Sequence, residues 1–130
     1  MTRQNSRIVL AAALFLLAAS LFFPPLSTAQ EKADAQKIYA DVAGTYEFTL
    51  EGQSLILIFF VKDGRLYGKE QMDPEDVEIK PLDLEKLKFE ATVQSNGNYY
   101  EIGFVRDEGG KVNKCHLSSA GTELDGARVN

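Results

Sequence analysis

Cys115 and His116 are the only cysteine and the only histidine of the chain, and they are adjacent. A neighbouring thiol and imidazole suggest a nucleophile and its base, which must share a hydrogen bond. The residues around them alternate in polarity as in a β-strand, where consecutive side chains point to opposite faces. We therefore predict that the two side chains do not meet. Cys115 is expected to be a buried hydrophobic residue on the face of Leu117 rather than an exposed reactive thiol.

His116 and Ser118 share the other face of the same predicted strand. Their Cβ atoms should lie roughly 6.5–7 Å apart, which is long for a hydrogen bond between a base and a nucleophile. The sequence places no orienting acid beside them. We therefore expect a solvated strand face and no catalytic residues, with a small hydrolase as the alternative.

Asp73, Glu75, Asp76 and Glu78 form a short acidic run. Calcium takes about six to eight oxygen ligands, and the EF-hand loop pattern is absent. We predict a solvated acidic loop, with weak cation binding as the alternative. A lone cysteine and a lone histidine exclude a Cys-rich zinc site and a multi-His centre. Since Gly109–Gly110 also lacks the strand–turn–helix setting of a phosphate-binding loop, no metal and no cofactor are expected.

Residues 1–29 are typical of a secretory signal peptide. Arg3 and Arg7 precede the stretch Ile8–Phe23, which is apolar except for Ser20, and cleavage is expected after Ala29. The alternative is an uncleaved anchor, although this stretch would span only roughly 24 Å of a ~30 Å hydrocarbon core. The protein is therefore predicted to be exported, to the periplasm or beyond the cell, and to meet the membrane only through this segment.

Length and charge narrow the function classes further. The 130 residues are 45% apolar and 25% charged, which suits one globular domain. Removal of Arg3 and Arg7 with the signal peptide changes the net charge from −5 to −7, because 12 basic residues then face 19 acidic ones. An acidic domain of this kind is a poor partner for nucleic acid.

The elements that must position these residues are mostly strands. Residues 30–43 are polar and Ala-rich, which predicts a lead-in or a short helix, and from Gly44 the hydrophobic period changes to two. Residues 44–130 then show about eight short strands at turn-bounded spacing, with Asp63–Gly64 and Asn96–Gly97 suited to type I′ turns. The apolar run Leu55–Val61 is predicted to be a strand covered on both faces. The pattern indicates an all-β antiparallel meander, closed as an eight-stranded barrel or folded as a small β-sandwich.

The interior of an eight-stranded barrel is filled by side chains or holds one small ligand. Aromatic residues on the predicted inward faces are the candidates for lining such a cavity, with a packed core as the alternative: Tyr46, Phe48, Phe59, Phe89, Tyr100 and Phe104. A cavity above roughly 300 Å³ would favour a small apolar ligand. A filled interior with an exposed apolar patch would favour a protein partner.

Several short fragments follow one another in a particular order along the chain. They are Val42–Glu47 (VAGTYE), Lys62–Gly68 (KDGRLYG), Leu82 with Phe89, Ile102–Asp107 (IGFVRD) with Gly110–Val112 (GKV), and Gly121 with Ala127–Val129 (ARV). Together they resemble a bacterial lipocalin-like domain of unknown function, often found C-terminal to beta-lactamase-related serine hydrolases and peptidases. The resemblance covers residues 42–129 and implies an eight-stranded lipocalin-like barrel with no catalytic residues of its own.

Arg106 and Arg128 match this pattern, and we predict a structural role for them, pairing with Asp107 or capping the barrel. The chain departs from the pattern in standing alone behind a signal peptide, in carrying Cys115 at a usually aliphatic place, and in its acidic 71–76 loop. The sequence thus predicts an exported, non-catalytic barrel that binds a small apolar ligand or an exported protein partner. The alternative is an accessory subunit of a separate exported serine hydrolase or peptidase.

Overall fold

The computed structural model describes residues 24–130. Positions 1–23 of the predicted signal peptide lie outside the described residues, so its cleavage stays a prediction. A helix, α1, spans Pro24–Val42 and includes most of the predicted lead-in. Residues up to Asp34 form a unit of their own, in which the Gln30 side chain donates to the Asp34 carboxylate at 3.1 Å. No helix within residues 24–130 is long and apolar enough to cross a membrane.

Residues 35–130 contain a closed antiparallel barrel of eight strands, in which every strand pairs with the next and β1 pairs with β8. This confirms the predicted fold class in its barrel form. The strands are β1 (Gly44–Leu50), β2 (Gln53–Lys62), β3 (Arg65–Glu70), β4 (Val77–Asp83), β5 (Lys88–Thr92), β6 (Tyr99–Arg106), β7 (Val112–Ser119) and β8 (Thr122–Arg128).

Alternation of buried and exposed side chains explains the first strand, β1. The turn residues between β2 and β3 explain the hairpin that these two strands form. Tyr46 and Phe48 of β1 are fully buried, whereas Glu47 between them is exposed. Asp63 and Gly64 join β2 to β3 with φ values of 52° and 76°, the left-handed pair that a type I′ turn requires. Both features follow directly from the local sequence.

Two predictions about the strands are wrong. The run Leu55–Val61 is not covered on both faces, because only Phe59 is buried and Val61 is 40% exposed. The barrel wall is one sheet thick here, so the outer side chains of β2 stay half-exposed. Asn96–Gly97 does not form a two-residue hairpin, since β5 ends at Thr92 and β6 begins at Tyr99. A six-residue loop separates them, and of this pair only Gly97 has a positive φ.

One end of the barrel is closed by aromatic packing and by the end of α1. The rings of Tyr46, Phe59 and Phe104 lie 5.1–5.6 Å apart between centroids, mostly edge to face. Phe89 contacts Phe104 at 5.6 Å, and Tyr39 of α1 lies 6.3 Å from Phe89. The Tyr46 hydroxyl donates to the carbonyl of Val42 at 2.8 Å, and burial raises the pKa of Tyr46 to about 12.

Arg128 donates hydrogen bonds to three backbone carbonyls at this closed end, as expected for the predicted capping role. Its guanidinium donates to the carbonyl oxygens of Asp41 (3.0 Å), Ala43 (2.6 Å) and Val112 (3.1 Å). It also lies 5.9 Å from the centroid of the Tyr46 ring, within reach of a cation–π contact. One side chain from β8 therefore links the C-terminal end of α1 to the start of β7.

Arg106 is also structural, but Asp107 is not its partner. The Arg106 guanidinium donates to Asp41 at 3.1 Å and to the carbonyl of Gly110 at 2.8 Å. Asp107 instead accepts from the amides of Gly109 and Lys111 and shapes the β6–β7 turn. The predicted pairing of neighbours in sequence is therefore wrong, because the carboxylate is used by its own turn.

Candidate functional site

The opposite end of the barrel contains a cavity of about 170 Å³. Its wall is apolar and comes from β2, β4, β5, β6 and β7: Leu55, Leu57, Phe59, Val77, Ile79, Ala91, Tyr100, Ile102 and Leu117. Among the described residues no buried residue is polar or charged. Behind its mouth, the cavity therefore offers a ligand mainly dispersion contacts, with the phenol of Tyr100 as a polar group in the wall.

All six aromatic candidates lie on strands at inward-facing positions, and the structure divides them into two groups. Phe59 and Tyr100 line the cavity. The other four belong to the buried hydrophobic core and are not part of the cavity wall: Tyr46, Phe48, Phe89 and Phe104. The boundary between the groups is the Phe59 ring, which touches the Tyr46–Phe104 cluster on one side and the cavity on the other.

The mouth of the cavity is acidic. Glu70, Asp73 and Glu75 all line it, together with Asn96 of the β5–β6 loop. Asp73 accepts a hydrogen bond from the amide of Glu75 at 2.9 Å. Glu75 accepts one from the amide of Gln94 at 3.0 Å, which joins the 71–76 loop to the far rim. Two of the three carboxylates are thus held in place by backbone donors.

In one part of the wall the pairing of β4 with β5 is incomplete. Their pairing begins only at Lys80 with Glu90, and its register shifts between Pro81 and Asp83. Residues 77–79 pair with β3 alone, and residues 91–92 pair with β6 alone. A groove of about 500 Å³ lies over this gap on the outside of the barrel.

The groove and the cavity share two lining residues, Val77 and Ala91. The two spaces therefore border the same part of the wall. At this gap, which is away from the mouth, the apolar interior thus lies next to a polar outer surface.

The groove has tyrosines on both sides and carboxylates between them. Tyr67 faces it from β3 and Tyr99 from β6. The Tyr99 hydroxyl donates to Glu90 at 2.8 Å, and this hydrogen bond raises the pKa of Tyr99. Glu78, which also lines the groove, pairs at 3.6 Å with Arg65, which does not line it.

The cysteine and the histidine point to opposite faces, as predicted. Cys115 has no exposed surface, and burial raises the pKa of its thiol far above the ordinary value. His116 is on the outer face, with 40% of its side chain exposed. They form no catalytic pair.

His116 has an acidic partner that sequence reasoning missed. Asp125 of β8 is its direct cross-strand neighbour, and its carboxylate lies 2.5 Å from Nδ1. Glu123 lies 3.7 Å from Nε2. The hydrogen bond to Asp125 raises the pKa of His116, and the charges of Asp125 and Glu123 add to this, against a smaller effect of burial. Only the β7–β8 register could have revealed the pair, because nine residues separate the two in sequence.

Within residues 24–130, no cluster of three or more His, Cys, Asp or Glu side chains could hold a metal ion. Fold and cavity together define a closed up-and-down barrel with one packed end, one open end and a small apolar interior. Comparisons of the chain with protein-family models, with curated proteins and with solved structures gave no match.

Proposed function

We propose that this protein is an exported, non-catalytic barrel that binds a small apolar ligand in the open half of its interior. The apolar cavity behind a charged mouth is the observation that carries the proposal. Its resemblance to a lipocalin-like domain of unknown function, and the signal-peptide pattern of residues 1–29, support the binding role and the export.

The size of the cavity limits the ligand. About 170 Å³ falls short of the roughly 300 Å³ expected of a ligand cavity, which is the lower end of the roughly 300–1,000 Å³ of drug-sized pockets. It is close to an engineered apolar cavity of about 150 Å³ that takes up benzene. We therefore infer that the part of the ligand held inside the barrel is a single ring or a short alkyl chain.

The absence of catalysis by a thiol or an imidazole is supported by the placement of Cys115 and His116. Leu117 faces the cavity, and His116 beside it faces the outside of the barrel. The thiol of Cys115 is enclosed in the core and held protonated. A substrate in the cavity would therefore meet neither group.

Toluene is a suitable probe, followed by the methyl resonances of the cavity leucines and isoleucines in NMR titrations. We expect saturable shifts confined to the cavity wall. Ala91→Leu should weaken toluene binding at least about tenfold, because the added carbons occupy the cavity. Ala127→Leu makes the same change at an exposed position of β8 and should leave binding unchanged. Absence of saturable binding to the parent protein would refute the proposal.

A protein partner is the second candidate function. The outer face of β2 and β3 carries apolar side chains in a row, Ile56, Ile58 and Phe60, with the ring of Phe60 stacked on Tyr67 at 5.9 Å. An exported serine hydrolase or peptidase is the partner that the resemblance suggests. Co-purification of such a hydrolase from the native host, lost with Phe60→Glu but kept with Ala91→Leu, would favour this role. Recovery of the protein alone would count against it.

A further inference from the structure

We propose that the ligand of this barrel carries a cationic head, so that the protein selects small amphiphilic amines over carboxylates; this rests on the proposed binding function. The cavity suits the apolar part of such a ligand, because the wall behind its mouth is apolar except for the phenol of Tyr100 and holds no charged group. The head must therefore lie at the mouth or in the groove, and the charge there decides which head is accepted.

The mouth favours a cation. Glu70, Asp73 and Glu75 line it, and none of the three belongs to an ion pair within the described part of the chain. Lys69 also borders the cavity, but it pairs with Ile58 on the outer face of the wall. A narrow opening lined by charges of one sign concentrates the opposite ion.

The gap in the wall favours a cation as well. The groove over it is lined by Asp76, Glu78 and Glu90 and by one basic residue, Lys80, while Arg65 beside the groove pairs with Glu78 at 3.6 Å. A ligand that reaches out between Val77 and Ala91 would meet this surface. The mouth and the groove therefore each carry more carboxylates than basic residues in their linings.

The aromatic residues of the groove distinguish an ammonium from a neutral hydroxyl head. Tyr67 and Tyr99 line the same groove as the carboxylates. Tyrosine faces attract ammonium ions through the ring quadrupole, and nearby carboxylates add to the attraction. An alkanoate would instead meet like charges in both places and is expected to be rejected.

Three probes with one chain length test this directly: hexylamine, 1-hexanol and hexanoate, titrated at neutral pH by calorimetry. We expect hexylamine to bind at least about tenfold more tightly than hexanoate, with hexanol between them. The difference should shrink in about 0.5 M salt, where the Debye length falls to a few ångströms. Ala91→Leu should weaken all three probes.

Matched variants identify whether the mouth or the groove holds the head. The mouth variant is Glu70→Gln, Asp73→Asn, Glu75→Gln, and the groove variant is Asp76→Asn, Glu78→Gln, Glu90→Gln. Each removes three charges and keeps one acceptor oxygen on each side chain. The control, Asp63→Asn, Glu85→Gln, Glu108→Gln, removes three exposed charges from turns at the closed end of the barrel. We expect one of the first two variants to abolish the preference for hexylamine over hexanol and the control to keep it.

The outcomes separate the two proposals. If toluene and hexanol bind but hexanoate binds as well as hexylamine, the cationic head is refuted and the binding function stands. Equal losses in the control variant would also refute it, since the amine would then respond only to overall charge. If no probe binds, the proposed function itself fails.

Discussion

Phe48 of β1 and Gly126 of β8 are direct cross-strand partners, and the Phe48 ring fills the space that a side chain at position 126 would need. A Cβ atom built on Gly126 would lie 2.6 Å from the ring. This contact lies in the strand pair that closes the barrel, so the small residue at 126 allows the first and last strands to meet over a bulky aromatic.

Gly126→Ala should therefore destabilise the fold by about 1–3 kcal/mol, because the added methyl must displace a fully buried ring. Gly103→Ala is the control, since a Cβ at Gly103 in β6 would have no neighbour within 4 Å. Urea denaturation measures both. Equal stability of the two variants would show that the β1–β8 contact is looser than the structure has it.

Replacement of Arg128 by Lys should cost about 2–4 kcal/mol of unfolding free energy, although the charge is retained. A lysine ammonium cannot reach the carbonyls of Asp41, Ala43 and Val112 in the fork geometry of a guanidinium. Arg106→Lys changes an exposed ion pair and should cost only about 0–1 kcal/mol. Chemical denaturation of both variants gives the comparison, and a similar cost for the two would contradict the capping role.

The thiol of Cys115 should be almost inert in the folded protein. It is fully buried, and burial raises its pKa, so little thiolate is present or accessible. Labelling with a chromogenic disulfide should be slow in buffer and fast in urea, with the slow rate set by opening of the barrel. Gly126→Ala should accelerate the native-state reaction, because Gly126 is the cross-strand partner of Cys115. Rapid labelling of the folded parent protein would contradict the core assignment.

His116 should titrate above its ordinary pKa of 6.5, and Asp125→Asn should lower that value. A raised pKa in the folded state means that the stabilising contribution is fully present at pH values below the ordinary pKa. It is lost as the pH rises through the folded-state value. As the chain has one histidine, a single imidazole resonance followed by NMR reports the titration. An unchanged midpoint in the Asp125→Asn protein would show that the pair contributes nothing in solution.

The local sequence was sufficient to predict the faces of β1 and β7 and the turn between β2 and β3, but not the outer face of β2 or the loop between β5 and β6. The alternation around Tyr46 and Phe48 and the left-handed pair Asp63–Gly64 are properties of neighbouring residues, and the structure repeats them. The opposite faces of Cys115 and His116 follow from the same period of two.

Features that depend on cross-strand register, or on residues far apart in the chain, were not predicted from the sequence. Asp125 became the partner of His116 through cross-strand register, and Arg106 found Asp41 across the closed end. The inward direction of the six aromatics was predictable, but the way they divide between core and cavity depends on where the barrel is filled. The gap between β4 and β5 depends on where two strands diverge, which no single segment encodes.

The pairing of β1 with β8 also has a consequence for the order of synthesis. Of the eight strands, β1 (residues 44–50) leaves the ribosome first. Its partners at 126–128, which include Arg128, come some eighty residues later. Until then β1 has only β2 to pair with, and Tyr46 has no guanidinium above its ring. Contacts of such long sequence separation form slowly. The nascent chain can therefore form hairpins, but the barrel cannot close around an interior until residues 126–128 have been synthesised.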